Sequence, residues 1–218
     1  MSSFKLKLIA VSTMLVDHIG VILFPNILWL RLIGRLAFPL FAFFITEGFR
    51  KTSDVKKYLQ RLFILALVSQ LPYWTAFGMD AGLNIFFTLT MGLLGLYLRD
   101  KYSTDFPVFL LAILAFIIDA SYNVYGVLLI YVIHITRNNI KKMFGYFSLL
   151  HVVYYLVLLV LPYYNFRTFL MQFPALLTII LFKFYNGKLG YSAKNFFYLF
   201  YPVHLLILVF IEKIFLKL

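Results

Sequence analysis

The chain contains no cysteine among its 218 residues, and only 8 of them are aspartate or glutamate. Without thiols, it can form neither disulfides nor thiolate metal sites. Eight scattered carboxylates are too few for a calcium cage or for the paired carboxylates of a glycosidase. The P-loop, the glycine-rich dinucleotide motif, HExxH and GxSxG are also missing. The soluble enzyme classes that these signatures mark are therefore excluded, and we expect no bound metal.

Charge is scarce as well, because 13% of the residues are charged while 63% are hydrophobic. A soluble domain is about half apolar and about a quarter charged. The composition predicts an all-α, polytopic integral membrane helix bundle that forms one domain over residues 1–218. Apolar windows of membrane length predict about nine transmembrane spans, with eight or ten left open. The predicted spans are 6–25, 28–49, 56–76, 83–98, 106–120, 122–137, 143–162, 167–184 and 195–215.

The net charge of +12 comes from lysines and arginines that cluster in alternate segments between the spans. This distribution follows the positive-inside rule and does not form a nucleic-acid-binding face. It predicts a multi-pass protein of the plasma membrane with a cytoplasmic N-terminus. The predicted cytoplasmic residues are Lys5, Lys7, Arg50, Lys51, Lys56, Lys57, Arg99, Lys101, Arg137, Lys141, Lys142, Lys183, Lys188 and Lys194. The predicted outer residues are Arg31, Arg167, Lys213 and Lys217.

Ionisable residues occur within the first two predicted spans. A charge at the centre of a membrane helix costs about 2.5–3.5 kcal/mol on insertion scales, so such a residue indicates a functional site. Lys7 and His18 are eleven positions apart, which places them on one helix face about 16 Å apart. This spacing would suit a long, linear cofactor with a phosphate at Lys7 and a reactive group near His18. We favour a catalytic role for His18 over a structural one.

Depth along the two spans predicts how these charges pair. Asp17 and Arg35 lie at the same level, so we expect an ion pair between them. Glu47 is nearer the cytoplasmic side, where Lys7 or Arg61 would meet it. Arg61 lies more than one turn inside the third span, so its partner is expected to be a phosphate or Glu47. Buried pairs that only fix helix register are an equally weighted alternative for Asp17, Arg35 and Glu47.

Later residues give weaker signals. Apart from Arg61, the basic cluster of Arg50, Lys51, Lys56 and Lys57 is best explained as a topology signal or as contact with anionic lipids. Asn84 and Thr88 share a helix face and suit interhelical hydrogen bonds. Asp119 and Tyr125 lie near the outer end of the fifth and sixth spans, and His204 follows a proline at mid-depth. The residues assigned to substrate binding are Asn84, Asp119, Tyr125 and His204.

Several stretches together resemble the TraX family, integral-membrane proteins associated with N-terminal acetylation of conjugative pilin. They are LKLIAVSTMLVDHIG, RLIGRLAFPLFAFFITEGFRKT, VKKYLQRL, LNIFFTLTMGLLGLYL and FYLFYPVHLLIL. More distantly, Lys7 and His18 are similar to the basic residue and histidine in the first span of transmembrane acyltransferases that acetylate polysaccharides. The third-span basic motif of that superfamily is matched loosely by Lys57 and Arg61. This chain has Glu47-Gly48 where those enzymes tend to have Ser-Gly, which favours the pilin-type branch.

The resemblance implies an acetyltransferase that uses acetyl-CoA as donor. The implied acceptor is the N-terminal amine of pilin or of a similar envelope protein, and a hydroxyl of an envelope polysaccharide is the alternative. His18 would act as general base or carry the acetyl group transiently, and Arg35 would stabilise the oxyanion unless Asp17 neutralises it. The implied donor site contains Lys7, Glu47, Lys57 and Arg61. A small transporter and a non-catalytic membrane interaction protein remain as other classes.

Overall fold

A computed structural model describes residues 1–160 and 166–215, and within them the chain is helical. The only β-type pairing in these residues is an isolated bridge between Leu83 and Ala120. The all-α prediction is therefore confirmed for the described residues. The helices are α1 (Ser3–Ile22), α2 (Leu28–Gly34), α3 (Ala37–Lys51), α4 (Val55–Phe77), α5 (Ile85–Tyr102), α6 (Phe106–Ile117), α7 (Asn123–Thr136), α8 (Ile140–Leu158), α9 (Phe166–Leu170), α10 (Thr178–Lys183) and α11 (Lys194–Phe215). Short 3₁₀ segments cover Met79–Ala81 and Phe173–Leu177.

Short polar residues start several of these helices by accepting hydrogen bonds from otherwise unpaired backbone N–H groups. The Ser2 side chain caps α1 and the Asn84 side chain caps α5. Asp54 precedes α4, and its carboxylate accepts a hydrogen bond from the backbone N–H of Lys57 at 3.0 Å. This hydrogen bond, which favours the ionised form, holds the pKa of Asp54 below its usual value.

The predicted spans correspond only in part to continuous helices. The second span is divided into α2 and α3 by a turn at residues 35–36, and 167–184 consists of α9, a 3₁₀ segment and α10. Two helical stretches in the described residues are long and apolar enough to cross a membrane, namely Leu28–Lys51 and Phe196–Phe215. Three shorter apolar helices are Phe106–Ile117, Asn123–Thr136 and Phe173–Lys183. The count of nine spans stays a prediction.

The chain divides into two compact units, each assembled from separate stretches of sequence. The first contains Met1–Leu40, Leu71–Ala81 and the described part of Leu158–Leu218. Its central element is α1, which packs against both α2 and α11. Backbone hydrogen bonds from Ser3 and Phe4 to the carbonyls of Lys188 and Leu189 hold the start of α1 against the loop before α11.

The second unit contains Phe41–Gln70 and Gly82–Val157. Helices α5, α6 and α7 pack on one another around a core of small and branched residues. That core consists of Val108, Ala112, Ala115, Ala120 and Val127. Because short loops join antiparallel neighbours, residues 52–54, 103–105 and 137–139 share one end of this unit. We call that end the basic end, and it carries Arg50, Lys51, Lys56, Lys57, Arg99, Lys101, Arg137, Lys141 and Lys142.

Candidate functional site

Two histidines that are 186 positions apart in the sequence meet in the first unit. Nδ1 of His18 on α1 lies 2.7 Å from Nε2 of His204 on α11. The ring planes are parallel within 1°, and the ring centres are 5.0 Å apart. With the nitrogens this close and the centres this far apart, the rings must meet edge to edge in one plane. An N–H on one ring then points along the lone pair of the other, which is good hydrogen-bond geometry. We call His18 and His204 the histidine pair.

Aromatic side chains and the backbone of α11 hold the histidine pair in place. The rings of Phe77 and Tyr201 lie edge-on to His18 at 5.4 and 6.1 Å between centroids. The ring of Phe200 stacks on His204 at 4.8 Å. The carbonyl oxygen of Phe200 lies 2.6 Å from Nδ1 of His204. The sequence assigns His204 to substrate binding, whereas the structure gives it a direct contact with His18.

Next to His18 in sequence, Asp17 binds two arginines. Oδ1 is 2.9 Å from Nη2 of Arg35, and Oδ2 is 3.0 Å from Nη1 of Arg31. The expected Asp17–Arg35 pair is therefore confirmed. Arg31, which the sequence predicts as an outer residue, is a second partner. Arg35 also donates to Oε1 of Gln172 at 3.4 Å. We call Asp17, Arg31 and Arg35 the Asp17 cluster, and its formal charges sum to +1.

A glycine makes this ion-pair geometry possible. A Cβ placed on Gly34 would lie 2.1 Å from Oδ1 and 2.4 Å from Cγ of Asp17. Real Cβ atoms essentially never approach other atoms closer than 3.0 Å. Any side chain at Gly34 would therefore push against the carboxylate that holds Arg31 and Arg35. The close approach of α1 to α2 and the pairing of these partly buried charges depend on the same position.

Lys7 lies on the same side of α1 as His18. Its Nζ is 5.5 Å from the ring centroid of Phe197, one of the aromatic residues of α11. Because His18 also contacts α11, the shared face predicted from the eleven-residue spacing is confirmed. A cation over an aromatic face is stabilised electrostatically, so this contact orients the ammonium group. Its assignment to donor binding stays a prediction.

Glu47 has different partners from those expected. Its Oε1 is 2.7 Å from Nε of Arg137, and its Oε2 is 3.2 Å from Nζ of Lys51. The expectation that Lys7 or Arg61 would pair with it is wrong, because both carboxylate oxygens are already engaged. Arg137 lies at the end of α7, which the sequence does not show to be adjacent to the end of α3. The guanidinium also lies 4.8 Å from the ring centroid of Phe43.

Lys57 and Arg61, assigned to donor phosphates, are both exposed at the start of α4. Nζ of Lys57 pairs with Asp54 at 3.3 Å, and the Lys57 side chain is 76% exposed. The guanidinium of Arg61 lies 5.9 Å from the ring centroid of Tyr58. Neither contact is buried, so both cations are accessible to an anionic ligand. Their role in binding the donor stays a prediction.

Asn84 is fully buried, and each of its side-chain groups is engaged. Its Nδ2 donates to the carbonyl of Ala66 and to Oε1 of Gln70, each at 2.7 Å. Its Oδ1 accepts from the backbone N–H of Phe86 at 3.0 Å. The interhelical hydrogen bond predicted for Asn84 is therefore confirmed. This use of the amide favours a structural role, while its assignment to substrate binding has no contact to support it.

Asp119 and Tyr125 flank a turn with unusual backbone angles. Asp119, Tyr122 and Asn123 have φ values of 51°, 62° and 27°. These values lie in the left-handed region, which is uncommon for residues other than glycine. Tyr125 is 2% exposed, and its hydroxyl lies 3.0 Å from Nδ1 of the buried His151. A substrate would reach Tyr125 only after this network opens. The predicted substrate roles of Asp119 and Tyr125 remain predictions, and the Tyr125–His151 contact was not anticipated.

These contacts define a helical protein with membrane-length apolar stretches and a partly buried cluster of histidines and paired charges. No group of three or more His, Asp or Glu side chains within residues 1–160 and 166–215 is arranged to hold a metal ion. The chain belongs to the TraX family, because the family model described as "TraX protein" matches residues 2–212. No solved structure matches the chain.

Two curated relatives are similar to the chain. "Probable fimbrial assembly protein FimC, serogroup H1" of Dichelobacter nodosus is 29% identical over 95% of this chain and 94% of its own length. "Uncharacterized protein RP591" of Rickettsia prowazekii (strain Madrid E) is 32% identical over 46% of this chain and 39% of its own length.

Proposed function

We propose that the protein is a multi-pass plasma-membrane acetyltransferase that moves an acetyl group from cytoplasmic acetyl-CoA to an acceptor outside the membrane. The proposed acceptor is the N-terminal amine of pilin or of a similar envelope protein. Membership of the TraX family and similarity to a protein named for fimbrial assembly support a pilus-related role. The observation that carries the enzymatic part is the contact of His18 with His204 beside the Asp17 cluster.

The transfer step needs a group that accepts a proton from the acceptor amine. His18 would accept this proton at Nε2 while the amine nitrogen forms a bond to the acetyl carbonyl carbon. The carbon–sulfur bond then breaks, and the imidazolium returns the proton to the departing thiolate. The products are the acetylated amine and free CoA, so protons and electrons balance. A transient acetyl group on His18 is the alternative route.

The Asp17 cluster would have a positioning role in this reaction. Since Asp17 already holds Arg35 at 2.9 Å, the guanidinium is oriented, and its charge is partly offset. Direct stabilisation of the oxyanion by Arg35 is therefore less favoured than alignment of α1, which carries His18. The residual formal charge of +1 in the cluster still favours a negatively charged transition state at short range.

The donor would be bound through its phosphates and adenine nucleotide. Lys7 lies on the His18 face of α1, about 16 Å along the helix axis, which suits a pantetheine arm reaching from one residue to the other. Lys57, at the basic end of the second unit, and Arg61, further along α4, are exposed cations that can form charge-assisted hydrogen bonds to phosphate. Glu47 would act indirectly by holding Arg137 and Lys51.

The test is incubation of the purified chain in lipid nanodiscs with radiolabelled acetyl-CoA and an envelope fraction. We expect label in an envelope protein, with His18→Ala lowering the rate by about 10²–10⁴-fold. His134→Ala is the matched control, because His134 lies outside the histidine pair. Label in a glycan would replace the amine acceptor by a hydroxyl. Equal rates for His18→Ala and the parent chain would refute the assignment of His18.

A further inference from the structure

The contacts of His204 determine where the protons lie on the histidine pair. Nδ1 of His204 faces the carbonyl oxygen of Phe200 at 2.6 Å. A carbonyl oxygen can only accept a hydrogen bond, so Nδ1 of His204 must carry a hydrogen. In a neutral imidazole only one nitrogen is protonated, and Nε2 of His204 then presents a lone pair.

That lone pair faces Nδ1 of His18 at 2.7 Å. Two unprotonated nitrogens would repel each other at this distance, so Nδ1 of His18 must carry the hydrogen and donate it. The alternative is an imidazolium at His204, a buried charge that is costly without a paired anion. The nearest carboxylate in sequence, Asp17, has each oxygen bound to an arginine. The neutral arrangement is therefore the one the surroundings favour.

We infer that His204 is a positioning residue that fixes His18 in its Nδ1–H tautomer, so that Nε2 of His18 is the reactive nitrogen. This inference rests on the proposed function for its catalytic consequence, although the tautomer itself does not. Among the described residues no hydrogen bond involves Nε2 of His18, which leaves its lone pair for an incoming proton or acyl group. His204 has the role that a carboxylate has beside other catalytic histidines, which is to orient the ring and stabilise the imidazolium.

The proton path follows from this arrangement. When Nε2 of His18 accepts a proton, Nδ1 keeps its own hydrogen and continues to donate to Nε2 of His204. His204 in turn continues to donate from Nδ1 to the Phe200 carbonyl. The positive charge on His18 is thereby stabilised by a neutral chain of two hydrogen bonds that ends on the backbone of α11. No proton has to leave the pair until Nε2 releases it.

The tautomer can be measured without any activity assay. The chain has only 4 histidines, so ring-¹⁵N-labelled histidine in the full-length protein in nanodiscs gives few signals. Loss of one pair of signals in His18→Asn assigns them to His18. We expect a protonated Nδ1 and an unprotonated Nε2 for His18 in the parent protein. A His18 ring protonated at Nε2 would overturn the inference, whether or not the protein transfers acetyl groups.

Three substitutions at His204 test the consequence for catalysis. His204→Gln keeps an acceptor that can face Nδ1 of His18, while His204→Asn is too short and His204→Phe has no polar atom. We expect His204→Gln to keep kcat within about 10-fold, and the other two to lose about 10²–10⁴-fold with little change in KM. Equal loss in all three variants, or in none, would refute the positioning role. If the parent shows no acetyl transfer, the proposed function fails, and the ¹⁵N measurement still decides the tautomer.

Discussion

Gly34→Ala tests whether the Asp17 cluster depends on the close approach of α1 and α2. A Cβ at this position would lie 2.1 Å from Oδ1 of Asp17, and ordinary contacts begin at 3.4 Å. The carboxylate or the helix must therefore move by about 1.3 Å. Overpacking of this kind typically lowers the free energy of unfolding by about 1–3 kcal/mol. A shift of this size also lengthens the 2.9 Å bond to Arg35.

Two other glycines provide a graded comparison. A Cβ on Gly20 would lie 2.7 Å from Cβ of Leu30, a close contact between the same helices, and would meet the Asp17 cluster only at an ordinary 3.6 Å from Cδ of Arg31. A Cβ on Gly145 would meet nothing within 4 Å, so Gly145→Ala is expected to stabilise α8 by about 0.5–1 kcal/mol. The expected order of stability is Gly145→Ala, then the parent chain, then Gly20→Ala, with Gly34→Ala lowest.

The measurement is thermal unfolding in lipid nanodiscs, followed by the fluorescence of the 2 tryptophans. One kcal/mol shifts the midpoint by about 2–4 °C in a chain of this size. Gly34→Ala, at about 1–3 kcal/mol, should therefore lower the midpoint by about 2–12 °C, while Gly145→Ala should not lower it. If Gly34→Ala unfolded at the same temperature as Gly145→Ala, the close packing of Asp17 against α2 would be wrong.

Three further predictions concern the second unit. Glu47→Gln should destabilise the protein by about 1.5–3 kcal/mol in the same thermal assay, because it weakens hydrogen bonds to two cations. The control is Asp100→Asn, at an exposed ion pair, which should change stability by less than about 1 kcal/mol. Asn84→Ala should lower the free energy of unfolding, measured with denaturant, by about 2–3 kcal/mol, since it removes a helix cap and leaves buried groups unpaired. An unchanged free energy would contradict the hydrogen bonds of the amide. In a chain without cysteine, an impermeant maleimide added to whole cells should label Asp119→Cys but not Lys101→Cys, and the reverse pattern would invert the predicted orientation.

The sequence predicts contacts between residues close in the chain better than contacts between distant ones. The Asp17–Arg35 pair follows from depth along two consecutive spans, and the Lys7–His18 face follows from helical period. The contact between His18 and His204 cannot be derived in this way, because nothing local specifies that α11 packs on α1. The sequence shows His204 only as a polar residue at mid-depth beside Pro202, which indicates a site without naming its partner.

The same reasoning explains the errors at Glu47 and Arg31. Depth places Glu47 among several cations at one end of the bundle, and distance alone does not select Arg137 among them. The positive-inside rule predicts Arg31 as an outer residue, although its i, i+4 relation to Arg35, the residue that caps α2, places both on one face. That spacing is the signal that could have identified Arg31 as the second partner of Asp17. Pairing of charges across non-adjacent helices requires the packing order, which a single sequence does not contain.

The charges of the site favour one kind of amine as acceptor. A neutral histidine pair beside a cluster with formal charge +1 would repel an ammonium group, and only an unprotonated amine can attack a thioester. An α-amine has a pKa of about 7.7–8.0 and a lysine side chain about 10.4, so at pH 7 the α-amine has about 200–400-fold more of the reactive form. We therefore expect acetylation of a peptide with a free N-terminus and an internal lysine to occur at the N-terminus, as mass spectrometry of the product peptide would show. Preferential acetylation of the lysine would mean that the site supplies a base strong enough to deprotonate it, which a neutral imidazole is not.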